Sequence, residues 1–166
     1  MSKETIGFVI RKQEIVQAAA EHLVLYGFKK SGLRALSQTI GISDRMIMYY
    51  FDTKEDLFTD AVRLIADALA DGMEKAMPKG RPSASQMLDA LSATPPNDEI
   101  MAVLKLWFEI VGYAARGIEP YKSTAALILE TSEARIQARL RADQKDKARE
   151  VLSSMEGRLL LKVLSS

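Results

Sequence analysis

GFKKSGLRALSQTIGISDRMIMYYFDTKEDLF, residues 27–58, holds two short amphipathic segments punctuated by glycines and small hydroxylated residues. Gly27 follows an earlier periodic segment, at a place where a left-handed terminating residue costs least for glycine. Ser31 stands where an N-cap belongs, and Leu33, Leu36, Ser37 and Ile40 then repeat at helical spacing until Gly41. Ser43 offers the next cap. After it Ile47, Tyr50 and Phe51 turn inward, leaving Asp44, Arg45, Met46 and Tyr49 for other faces. Two short helices joined by a tight glycine turn are the minimal signature of a helix-turn-helix. Spacing alone does not separate DNA binding from plain bundle packing.

Upstream, Ile15, Ala18, Ala19, His22, Leu23 and Tyr26 share one helix face, which predicts a first helix over residues 11–26. Downstream, Thr53 is a candidate cap for a long helix over 54–76, carried by Leu57, Phe58, Ala61, Val62, Ile65, Ala68, Leu69 and Met73. Pro78, Gly80 and Pro82 end it, and Pro95-Pro96 marks a second loop after a short periodic segment around Met87, Leu88 and Leu91. Residues 99–117 are apolar nearly all round, with Lys105, Glu109 and Arg116 as the charges, which predicts a helix buried on several sides. Two more helices follow, over roughly 121–140 and 148–164, and no strand pattern is seen. The expected fold is all-α in two modules: a three-helix unit over residues 1–54, and a helical unit over 55–166 entered through the long helix 54–76.

At 166 residues, with 48% hydrophobic and 27% charged, the chain has enough apolar material for a core, so wholesale disorder is excluded. The absence of cysteine removes disulfides, thiolate catalysis and cysteine-ligated metals together. No apolar run suffices for a membrane helix and the first residues lack a signal-peptide pattern, so the expectation is a soluble, cytoplasmic protein with no membrane partner. Net charge is +1, but residues 1–54 carry eight basic against five acidic side chains, a local excess that suggests an anionic partner.

Catalytic readings find little to stand on. The single histidine, His22, lies on the apolar stripe of the first helix, where a structural imidazole is the expectation. The carboxylates show no metal-ligand spacing, and the GxSxG, Walker and dinucleotide loops are absent. No enzyme activity, metal or cofactor is expected.

The segment quoted above resembles the DNA-binding segment of the tetracycline-repressor (TetR) family of bacterial regulators. The matching features are Gly27-Phe28, Ser31 with Leu33-Arg34, Gly41-Ile42-Ser43, Ile47 with Tyr49, Tyr50 and Phe51, and Lys54-Glu55-Asp56-Leu57. The resemblance covers residues 11–73, and the terminal MEGRLLLKVL looks like the family's last dimerisation helix. It implies nine or ten helices, with helices one to three reading an operator and the rest binding an effector and pairing two subunits. On that reading the chain is a homodimeric transcriptional regulator, a repressor released from a near-palindromic double-stranded operator by a small, largely apolar effector. The alternative is a helical interaction protein that keeps the geometry without binding DNA.

The implied DNA-contacting residues are Ser31, Arg34, Ser43, Asp44, Arg45, Met46, Tyr49, Tyr50 and Lys54. A recognition helix presents its N-terminal residues to base edges. There arginine can grip guanine through two bonds, aspartate can accept from cytosine, and Met46 can pack on a thymine methyl. Ser31 and Ser43 at helix starts, Lys54 and the two phenols are suited to phosphates, and Lys3, Arg11 and Lys12 to an arm along the backbone. Where the family pattern most often has tyrosine, two residues past the base-reading trio, this chain has Met48, followed by Tyr49-Tyr50. Tyr50, three residues from Ile47, reads as core more than contact.

In the second module an effector pocket is expected from Met73, Met101, Leu104, Trp107, Phe108, Val111 and Tyr121, with Glu109, Tyr113 and Arg116 as a polar face orienting the ligand. An internal ion pair or hydrogen bond among Glu109, Tyr113 and Arg116, holding the helix, is the plainer reading of that face. The expected dimer interface is Ile128, Ile136, Val151, Leu152, Met155 and Leu159. In the last helix Leu160, Leu161 and Leu164 lie off the stripe of Ala148, Val151, Leu152, Met155 and Leu159, more apolar surface than one packing partner covers.

Overall fold

A computed structural model describes residues 3–93 and 97–165, with side chains from Gly7 onward; the expected Pro95-Pro96 loop and the Lys3 side chain lie outside the described part. The described residues form eight α-helices: α1 (Lys3–Tyr26), α2 (Leu33–Ile40), α3 (Asp44–Tyr50), α4 (Lys54–Ala76), α5 (Ala84–Ala93), α6 (Asp98–Ala115), α7 (Tyr121–Arg139) and α8 (Ala148–Leu164). That is fewer than the nine or ten the resemblance implied. Short 3-10 turns fill Phe28–Lys30 and Ala142–Lys147, and no strand occurs among the described residues.

Local chemistry accounts for most of the boundaries. Gly41 ends α2 in the left-handed region, at φ 75° and ψ 27°, with its amide bonded to the Ser37 carbonyl. Ser43 caps α3 by accepting from the Met46 amide. Thr53 and Asp56 form a reciprocal capping box on α4: the Thr53 hydroxyl accepts from the Asp56 amide at 3.1 Å, and the Asp56 carboxylate accepts from the Thr53 amide at 3.0 Å. Such a cap contributes about 1 kcal/mol to holding the long helix at its N-terminal end.

Two expectations about α1 and α2 are corrected. The first helix starts at Lys3, not at residue 11, so Lys3, Arg11 and Lys12, suited to an arm along the phosphates, all lie on one helix. Its basic residues are also engaged: Arg11 pairs with Glu14, while Lys12 sits 3.9 Å from Asp60 and 4.7 Å from the centre of the Phe51 ring. Ser31 does not cap α2; Gly32 occupies that position. Ser31 is fully buried and its hydroxyl donates to the Gly27 carbonyl at 2.5 Å, closing the turn after α1 and leaving nothing to offer a phosphate.

Two apolar clusters organise the molecule. The first gathers Ile15, Ala19 and Leu23 of α1, Leu36 of α2, Ile47 of α3 and Leu57, Phe58, Ala61 and Val62 of α4, and continues through Leu106, Trp107 and Ile110 of α6 to Ala125 of α7. The helix-turn-helix is therefore seated on the same core that anchors α6 and α7. The second cluster lies at the far end: Met77, Met87, Ile136, Leu140, Ala148, Val151, Leu152 and Met155.

The second cluster corrects the expected dimer interface. Ile136, Val151, Leu152 and Met155 are buried within the single chain, Leu159 packs against the same cluster, and Ile128 packs against the first. The stripe at helical spacing is the inward face of α8, taken up by α5 and α7. What remains uncovered is the other face, with Leu160 at 39%, Leu161 at 66% and Leu164 at 73% exposure.

Candidate nucleic-acid interface

α3 is held from below and presented from above. Ile47 and Phe51 are buried in the first cluster, and the rings of Tyr50 and Phe8 lie 4.8 Å apart, so α1 props the C-terminal end of α3. Phe8 was not among the residues singled out in the sequence. Its spacing of seven from Ile15, across Lys12 at four, is the signal that extends the first helix backwards. The opposite face of α3 is open: Arg45, Met46 and Tyr49 are exposed, Asp44 half so. Tyr50 is half-buried against Phe8 and the core, so its ring supports the helix, whereas Tyr49 stands at 66% exposure.

Arg34 on α2 and Arg45 on α3 are exposed guanidiniums without an ion-pair partner among the described residues. Lys29 and Lys30, in the turn before α2, are exposed and unpaired in the same sense. Lys54 opens α4 with its ammonium 5.0 Å from the centre of the Phe58 ring. Ser43 is exposed at the α3 start. Arg34, Ser43, Asp44, Arg45, Met46, Tyr49 and Lys54 are thus each at least partly open to solvent, with Ser31 withdrawn into the core.

His22 sits behind this surface. It is buried, its Nδ1 lies 2.8 Å from the Thr39 hydroxyl of α2, and its Nε2 is buried without a hydrogen-bond partner. Burial pushes its pKa below the ordinary histidine value, a shift the Lys30 backbone partly opposes. Tyr26, expected on the inward stripe, is half exposed and lies with its ring 4.7 Å from that of His22.

The residues expected to line one effector pocket are divided. Leu104 is buried; Met73 packs against the second cluster; Met101 lines a groove of about 480 Å³ between α1 and α6, with Tyr26, Lys105 and Glu109. Tyr113 and Tyr121 stack at 5.0 Å and enclose Phe28, whose ring also meets Phe58 edge-on. Burial, with Tyr113 and the carboxylates of Glu55 and Glu109 nearby, pushes Tyr121 up to about 12. Glu109 accepts from the Phe28 amide and, at 3.5 Å, from the Tyr113 hydroxyl, so it ties the turn after α1 to α6. Arg116 is exposed beyond the end of α6 and does not join them. Trp107, Phe108 and Val111 line a third surface, a groove of about 460 Å³ where α6, α7 and α8 meet.

A helix-turn-helix mounted on a helical second module defines the class of protein. Residues 15–61 match the model of the bacterial regulatory proteins of the tetR family. A curated relative, the HTH-type transcriptional regulator PksA of Bacillus subtilis (strain 168), is 23% identical over 105 residues, covering 63% of this chain and 51% of PksA. The chain thus spans about half the length of the curated relative it matches. A transcriptional regulator from Rhodococcus sp. Rha1 superposes with a TM-score of 0.72 at 18% identity, over 93% of this chain and 84% of that one. The multidrug binding protein EbrR, solved with proflavin, superposes with a TM-score of 0.68 at 23% identity, over 93% of this chain and 89% of that one. These structural likenesses are likenesses of fold. Residues 15–61 are thus similar to the N-terminal segment of the tetR-family regulators, and the fold of the described chain is like that of the solved regulators.

Proposed function

We propose that the protein is a homodimeric repressor whose α3 enters the major groove of an operator, and that a small molecule bound in the second module releases it. The observation that carries the reading is Arg45: an exposed, unpaired guanidinium in the first turn of a capped helix whose other side is fixed by buried Ile47. A recognition helix needs this arrangement, a rigid mount and a free fork reaching base edges. Asp44 and Met46 flank it as base-edge contacts; Arg34, Ser43, Tyr49 and Lys54 serve the phosphates. Residues 1–54 form the reading module and residues 55–166 the effector and pairing module.

The partner surface is the uncovered leucine face of α8, Leu160, Leu161 and Leu164, since the face assigned from sequence is consumed by the subunit's own core. A two-fold pair places two α3 helices about 34 to 36 Å apart, one DNA turn, and makes the operator a near-palindrome. The test is selection of bound fragments from random duplex DNA, followed by affinity as a function of salt. A recovered inverted repeat bound with a steep salt slope supports the reading, and recovery of no consensus overturns it.

A further inference from the structure

The first turns of α1 meet α3 through three aromatic rings. Phe8 stands two helical turns before Ile15, whose side chain is fully buried, and Lys12 between them reaches both Asp60 at 3.9 Å and the centre of the Phe51 ring at 4.7 Å. α1 is therefore tied to α4 and to the end of α3 at the turn next to Phe8. The contact of Phe8 with half-buried Tyr50 belongs to the mounting of α3. Its contact with Tyr49 does not. That ring lies 5.8 Å from Phe8 at an interplanar angle of 72°, and Tyr50 meets it edge-on at 5.1 Å and 87°. Edge-to-face pairs at this spacing favour one ring orientation. Tyr49 is nevertheless 66% exposed, and its phenol has no hydrogen-bond partner among the described residues. Four residues after Arg45, it shares the open face of α3 one turn further on.

We propose that Phe8 is a positioning residue for DNA, which orders the Tyr49 ring in the free protein so that its phenol meets an operator phosphate already oriented. This rests on the operator reading above and adds to it a residue that lies before the matched segment 15–61, outside what the family likeness covers. An exposed side chain that must be ordered on binding loses rotamer freedom, and ordering it beforehand is worth roughly threefold to tenfold in affinity. A neutral phenol gives a phosphate one hydrogen bond, carries no base information and releases no counterion. Its loss therefore weakens every duplex alike and leaves the salt slope as it is. General support of α3 has a different signature: looser seating of the whole helix displaces Arg45 as well and lowers the preference for the selected sequence.

The experiment measures, on the full chain, affinity for a selected and a scrambled duplex in the wild type, Phe8→Ala, Tyr49→Phe and the double variant, with Phe8→Tyr as the control that keeps the ring. Each single variant is expected to lose roughly threefold to tenfold on both duplexes, and the double variant no more than the weaker single one. The salt slope should be unchanged, and Phe8→Tyr should bind as the wild type does. Additive losses, or a loss in Phe8→Ala confined to the selected duplex, overturn the proposal. A second measurement needs no DNA: fluorine NMR of the chain labelled with 3-fluorotyrosine at its five tyrosines, where the Tyr49 line is the one missing in Tyr49→Phe. In the wild type that line should stand apart from free fluorotyrosine, and in Phe8→Ala it should move towards it. A Tyr49 line at the free position in the wild type overturns the proposal even if Phe8→Ala fails to fold. Additive losses on a duplex that the wild type does select sink this proposal alone. Recovery of no operator sinks the reading it rests on, and a displaced Tyr49 line would then mark a Phe8 contact with no role in DNA binding.

Discussion

The Glu109 carboxylate of α6 accepts a hydrogen bond at 3.2 Å from the amide of Phe28, 81 residues away in the turn that follows α1. The same oxygen lies 2.8 Å from where a Cβ on residue 27 would sit, and Gly27 has φ +69°. Residue 27 favours glycine for its backbone angle, and a Cβ there would also push the Glu109 carboxylate away from the Phe28 amide. The bond joins the module that carries α3 to the helix that carries Trp107.

Breaking this brace has a measurable cost. Glu109→Ala leaves the part-buried Phe28 amide without an acceptor and is expected to lower stability by about 1 to 2 kcal/mol. Gly27→Ala adds backbone strain and is expected to cost about 1 to 3 kcal/mol. Denaturant unfolding of both single variants and the double variant checks it: the two effects should be less than additive, because Glu109→Ala vacates the space a Cβ at residue 27 needs.

Ser31 separates a structural from a DNA-contacting role. Its buried hydroxyl serves the Gly27 carbonyl, so Ser31→Ala is expected to lower thermal stability by about 1 to 2 kcal/mol. Duplex affinity measured well below the melting temperature, and its salt slope, should be unchanged. A flatter salt slope would return Ser31 to the phosphate-contacting set.

His22 makes stability depend on pH. Its native pKa is lowered by burial, so below the ordinary histidine value of about 6.5 the unfolded chain binds the proton that the native one refuses. Stability is then fully present above that value and falls as pH drops through it. Melting curves at pH 7.5 and 5.5 should show a loss in the wild type that is smaller in His22→Leu, which has no imidazole to protonate.

The two faces of α8 should respond differently. Leu161→Glu with Leu164→Glu places charges on the uncovered face and is expected to give a folded monomer by light scattering at micromolar concentration. Met155→Ala, in the second cluster, is expected to cost about 2 to 5 kcal/mol of stability and to leave the oligomeric state of the remaining folded protein unchanged.

Helix-forming periodicity was legible wherever one face is buried against one neighbour. The last helix occupies Ala148–Leu164 as its stripe predicts, and the long helix occupies Lys54–Ala76 between the Thr53 box and the Pro78 break. The backward extension of α1 was masked: Phe8 stands seven residues before Ile15, but Phe8, Val9 and Ile10 are consecutive, partly exposed apolar residues that blur a 3.6-residue period. Which of two apolar faces on α8 points inward was likewise hidden. Both are leucine-rich, and only the position of α5 and α7 decides between them. Glu156 gave no sign at all, since a glutamate in a helix ordinarily reads as solvated until Trp107 of another helix is seen to donate to it.

The most direct test of operator reading by α3 is the affinity of wild type, Arg45→Ala and Lys54→Ala for a selected duplex across a salt series. Arg45→Ala is expected to cost about 1 to 3 kcal/mol and to relax specificity at one base pair per half-site, with its salt slope nearly kept. Lys54→Ala is expected to weaken all sequences alike and to reduce the slope by about one. If both variants bind the selected and scrambled duplexes as the wild type does, α3 does not lie in the groove.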